Sequence, residues 1–91
     1  MENLNLSVGI IETTGYVATI DALDTLLKTA DVEIIDKELI GAGIVVIIIA
    51  GDISNVKEAI NSAKCAIEKL KHKCRYTIIA NPHNDIWNII P

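Results

Sequence analysis

The residues of this chain whose types can do chemistry are few and scattered. Glu12 and Thr13 stand three and two places before Gly15, at a strand end where a carboxylate can serve as a general base. No motif brings a second carboxylate, a histidine or a nucleophile beside it, and a strand-end Glu-Thr before glycine more often bonds the backbone of its own turn. His72 falls in a lysine-rich helix end and is expected to be solvated, whereas His83 follows Pro82 at a turn and can sit at a subunit boundary. Neither has a second histidine or carboxylate at ligand spacing, so no metal and no cofactor is expected. Cys65 and Cys74, the only cysteines, form no C-x-x-C pair and read as reduced, structural thiols. Arg75 is the only arginine and begins a predicted strand, not a phosphate-cradling loop. The catalytic set is therefore expected to be empty, and the chain not an enzyme.

Two further groups have other uses. Gly41 and Gly43 flank Ala42, and paired glycines let a hairpin tip adopt positive φ and let neighbouring backbones approach closely. Taken alone, this is an ordinary hairpin turn. Lys28 lies at the end of a predicted helix, where its charge suits the helix dipole whatever else it does.

These residues need elements to hold them. Leu4, Leu6, Val8 and Ile10 alternate with Asn5, Ser7 and Gly9, a half-buried strand running to about residue 13. Tyr16, Ile20, Leu23, Leu27 and Ala30 recur at helical spacing over 16–30. Strands over 32–40 and 44–50 flank the glycine turn, the second rich in β-branched residues. Gly51-Asp52 reads as a turn, with Ser54 capping a helix whose apolar stripe is Val56, Ala59, Ile60, Ala63, Ile67 and Leu70 and which ends near Lys73. A strand over 75–80 ends at Asn81-Pro82, and residues 85–90 suit a short C-terminal helix whose Ile86, Trp87, Ile89 and Ile90 form an apolar flap for this subunit or a neighbour. The order β-α-β-β-α-β predicts an α/β (α+β), ferredoxin-like single domain over 1–91, with an antiparallel sheet and two amphipathic helices on one face.

At 91 residues and 51% hydrophobic, with a mean hydropathy of +0.39, the chain carries more apolar surface than so small a domain buries alone, which predicts oligomerisation. A net charge of −4 with dispersed lysines argues against nucleic acid. Three aromatic residues, Tyr16, Tyr76 and Trp87, make no base-stacking platform. The longest apolar run, Leu39 to Ala50, is far short of the roughly 20 residues of a membrane helix. The N-terminus has no basic and apolar leader pattern, so a cytoplasmic location is expected.

Val8-Gly9-Ile10-Ile11-Glu12-Thr13-Thr14-Gly15 closely resembles the opening of bacterial microcompartment shell proteins of the single-domain, hexamer-forming class. Ala22, Asp24 and Leu27-Lys28-Thr29-Ala30-Asp31-Val32 resemble that family's helix end, and Ile40-Gly41-Ala42-Gly43 its Ile-Gly-Ser-Gly pore loop. Gly51-Asp52-Ile53, Pro82-His83 and Ile89-Ile90-Pro91 continue the series. The resemblance implies a homohexamer that tiles into facets with other shell proteins around enclosed enzymes. It implies a central pore for small polar metabolites lined by Leu39, Ile40, Gly41, Ala42 and Gly43, and a hexamer-hexamer edge of Lys28, Asp31, Asn81, Pro82 and His83. The chain departs from the family at Leu39, where many relatives carry lysine, at Ala42 in place of serine, and at Ala80 and Asn81 in place of proline and arginine. The competing expectation on the same fold is a regulatory domain that senses a small molecule at the interface of a dimer or trimer.

Overall fold

The computed structural model of the chain describes residues 6–14 and 17–80. Within them the order is β1 (Leu6–Thr14), α1 (Val17–Thr29), β2 (Glu33–Ile40), β3 (Ile44–Asp52), α2 (Ile53–Lys69) and β4 (Cys74–Ile79). The strands make one antiparallel sheet in the order β2-β3-β1-β4, the split β-α-β arrangement read from the sequence. The C-terminal helix and flap expected over 85–90 lie outside the described residues.

Ile11 stands opposite Ile47 and Thr13 opposite Val45, so the odd-numbered residues of β1 and β3 share one face of the pleat. On that face Ile11, Val45, Ile47 and Ile49 close a buried core with Leu23 and Leu27 of α1 and Val56, Ala59, Ile60, Ala63 and Ile67 of α2. Both helices therefore lie on the same side, each presenting its apolar stripe. A Cβ on Gly9 would stand 2.7 Å from Ile60 Cδ1 and 3.0 Å from Val56 Cγ1, so the close seating of α2 on β1 requires glycine there. On the opposite face Leu6, Ile10, Val46 and Ile48 are half-buried, so the helix-facing side of β1 is that of Gly9, Ile11 and Thr13 and not the Leu6-Val8-Ile10 side its alternation suggests.

Both ends of α2 differ from expectation. Gly51 and Asp52 do not turn; they pair with Ser7 and Leu6 as the last residues of β3. The chain thus passes directly from strand to helix with Asp52, not Ser54, as N-cap, and the Ser54 hydroxyl donates to Asp52 Oδ2 at 2.7 Å. At the other end the helix stops at Lys69, short of the expected end near Lys73. Lys71 takes the left-handed conformation (φ 61°), the Lys71 N–H donates to the Glu68 carbonyl (2.9 Å) and the His72 N–H to the Ile67 carbonyl (3.2 Å). This is a Schellman closure in which lysine occupies the position that usually carries glycine. It leaves His72 half-buried rather than solvated.

Candidate functional site

The β2–β3 hairpin closes on the pair Ile40 and Ile44, leaving Gly41, Ala42 and Gly43 as an exposed tip. Its left-handed residues are Ala42 (φ 67°) and Gly43 (φ 74°), which corrects the expectation that both glycines supply positive φ. Gly41 is outside that region, and a Cβ built on it meets nothing within 4 Å. No contact inside the subunit therefore calls for glycine at 41. Leu39 and Ile40, next to the tip, are 65% and 49% exposed, each forgoing about half to two thirds of the roughly 1.5–3 kcal/mol that full burial would contribute. Leu39 pairs with core-facing Val45 and Ile40 with Ile44, so alternation turns Leu39 toward the helix side and Ile40 toward the other side.

The second group begins at Lys37, about 10 Å down β2 from Ile40, and extends to the far end of the strand, about 23 Å away, which Asp31 precedes. Lys28, in the last turn of α1, is 69% exposed at its side chain, and its Nζ bonds Asp24 Oδ2 at 2.8 Å. Lys37 of β2 holds the other carboxylate oxygen, also at 2.8 Å. These two ammoniums keep the Asp24 carboxyl below its ordinary range, and the bond to Asp24 in turn raises the Lys28 ammonium. The i,i+4 pairing of Asp24 with Lys28 is legible in the sequence; the clamp by Lys37 is not, because it needs α1 laid against β2. Asp31 accepts a long hydrogen bond from Asn55 Nδ2 (3.4 Å) beside a cleft of about 380 Å³ between the end of α1 and α2. The Glu33-Ala50-Val8-Ile79 row spans the sheet at this end, so β4 also delivers Ala80 here. Asn81, Pro82 and His83 lie outside the described residues.

The residues read as candidates for catalysis do not assemble. The turn that Glu12 is expected to bond, at residues 15–16, lies outside the described residues. Alternation turns Thr13 toward the helices and Glu12 away from them, and the Thr13 hydroxyl donates to the Lys73 carbonyl between α2 and β4 at 2.7 Å. Among the described residues no group of three His, Cys, Asp or Glu side chains is placed to hold a metal, and no helix is long and apolar enough to cross a membrane. Both cysteines are free; Cys65 is exposed, against its reading as a structural thiol, while burial pushes the half-buried Cys74 thiol up.

The BMC domain profile matches residues 7–82. The bacterial microcompartment shell protein PduA of Citrobacter freundii is 34% identical over 85 residues, covering 93% of this chain and 91% of that protein. A carboxysome shell protein of Synechocystis is 32% identical over 90 residues, covering 97% and 87%. Among solved structures, a microcompartment protein from Desulfitobacterium hafniense superposes with a TM-score of 0.77 at 23% identity, over 94% of this chain and 47% of that one. A putative glycine cleavage system transcriptional repressor does so with a TM-score of 0.70 at 16% identity, over 89% and 49%. This chain spans about half the length of each of those two solved chains, and both likenesses are of fold alone.

Proposed function

The chain belongs to the BMC domain family, whose matched relatives are shell proteins of microcompartments and carboxysomes, and on that premise we propose that it is a non-enzymatic shell subunit. Six copies of this single domain close a ring around residues 41–43, and the rings tile into the wall of a compartment in the cytoplasm. The observation that carries this reading is the separation of two unlike surfaces along β2: an exposed apolar and glycine tip at one end, and the charged Asp31 at the other, with Lys28 from the end of α1 reaching back to Asp24 between them. A ring needs a hub and a rim, and β2 is the spoke between them.

At the hub every feature is repeated six times. Residues 39–43 carry no charged side chain, so selectivity rests on size and on the backbone N–H dipoles of the loop, which favour small polar metabolites. Leu39 rings the mouth on the helix side and Ile40 the mouth on the other. At the rim Lys28 and Asp31, with Asn81, Pro82 and His83, form the edge that meets other hexamers and other shell proteins around the enclosed enzymes.

Solution mass and negative-stain electron microscopy of the purified chain test the reading together. Hexamers that extend into hexagonal sheets or tubes support it. Discrete hexamers keep the ring and assign tiling to partner shell proteins. A stable dimer or trimer refutes it and favours the ligand-sensing regulatory domain, which shares the fold.

A further inference from the structure

We propose that neighbouring copies in the ring are joined head to tail, by Glu38 on the β2 edge of one copy and Arg75 on the β4 edge of the next; this rests on the ring reading above. The strand order puts β2 and β4 at opposite edges of the sheet. Glu38 stands opposite Val46, Val46 opposite Glu12, and Glu12 opposite Arg75. The four residues form one row across the whole sheet, and all four project from the face away from the helices. With the hairpin tip at the axis, the strands run outward and the two edges become the flanks of each copy. Rotation about the axis then brings the β2 flank of one copy to the β4 flank of the next, with Glu38 and Arg75 in the same row and on the same face. Two different surfaces that meet in this way close into a ring.

Charge favours the match. Glu33, Asp36 and Glu38 line the β2 edge and are half-buried or exposed, while Lys37, the one basic residue of β2, is turned to Asp24. On the other flank Arg75 is exposed, and the ion pairs among the described residues are those of Lys28 and Lys37 with Asp24, so the guanidinium pairs with no carboxylate among the described residues. Lys57 and Lys64 line the groove between α2 and the β4 edge. Arginine suits such a contact because its planar fork meets a carboxylate through two hydrogen bonds.

The dimensions close as well. Four strands at about 4.8 Å spacing, plus about 5–10 Å for the contact, give each copy a width of roughly 19–24 Å. Six such widths meet when this row lies about 17–21 Å from the axis. Glu38 is four residues, about 13 Å, from Ala42, which leaves the loop about 4–8 Å from the axis: an open but narrow channel.

The test is made on Glu38→Lys and Arg75→Glu, both at exposed positions, with unchanged circular dichroism as the folding control. If wild type is hexameric, each variant alone sets like charges against each other at all six contacts, and the subunit concentration for half-assembly rises about tenfold or more. The two variants mixed in equal amounts restore hexamers, because an alternating ring sets the introduced lysine against the introduced glutamate at one contact and native Glu38 against native Arg75 at the next. High salt relieves the defect of each single variant. Single variants that assemble like wild type, or a mixture no better than its components, overturn the contact and leave the ring standing. A wild-type chain that forms no hexamer overturns the ring, and this contact with it.

Discussion

The tip of the hairpin makes unequal demands on its two glycines, and alanine substitution separates them. Gly43 has φ 74° and open space where a Cβ would go, so Gly43→Ala bears only the left-handed backbone penalty of about 1–2 kcal/mol. Gly41 lies outside the left-handed region, with equally open space. There Gly41→Ala stabilises by about 0.4–1 kcal/mol, through the reduced freedom of the unfolded chain. For a domain of this size 1 kcal/mol moves Tm by about 4–8 °C. Gly43→Ala is thus expected to lower Tm by roughly 5–15 °C and Gly41→Ala to raise it by a few degrees, the two shifts having opposite sign. Ala42→Gly is the reverse exchange at φ 67° and is expected to stabilise by a comparable amount, about 1–2 kcal/mol. Thermal unfolding is followed by circular dichroism at several matched subunit concentrations, since assembly itself raises Tm by mass action. Equal losses for Gly41→Ala and Gly43→Ala at concentrations where the ring is dissociated would refute the assignment of positive φ to residues 42 and 43. If Gly41→Ala stabilises the isolated subunit yet weakens the hexamer, glycine at 41 answers to the neighbours around the axis.

Lys71→Gly relieves the left-handed lysine that ends α2 and should raise stability by about 1 kcal/mol in denaturant unfolding, whereas Lys71→Ala should not. Gly9→Ala forces a methyl into the 2.7 Å gap before Ile60 and should destabilise by about 1–3 kcal/mol, with Ile60→Val recovering part of the loss. Lys28→Ala should leave the hexamer folded, because Lys37 still holds Asp24, yet abolish extended sheets in electron micrographs. The depressed Asp24 carboxyl contributes stability that is present above its ordinary value of 3.8 and is lost as pH falls through its folded value. The raised Lys28 ammonium contributes stability that is present below 10.5 and is lost as pH climbs past it. Urea unfolding across pH should therefore show an acid decline below about pH 4 that is shallower in Asp24→Asn.

Much of this protein is legible in its sequence because the deciding patterns are local. The helical stripe Val56-Ala59-Ile60-Ala63-Ile67 names an element and its buried face, and the β-branched run over 44–49 names a strand; the alternation Leu6-Val8-Ile10 names β1 but not its helix-facing side, which is that of Gly9, Ile11 and Thr13, because only packing decides which face the helices cover. The ordered motifs from Val8 to Pro91 likewise carry the family. Other features depend on residues far apart in the chain. Gly51 and Asp52 look like a turn until β1 is there to pair with them. The end of α2 at Lys69 has no glycine to announce it, and Gly41 resembles Gly43 until the backbone is built. Lys37 meets Asp24, and Glu38 shares a row with Arg75, only through strand order and register, which arise from long-range pairing. Sequence alone thus determined the order of the elements and the family they belong to. Tertiary structure decided which charges face each other, because that depends on how separate elements are laid side by side.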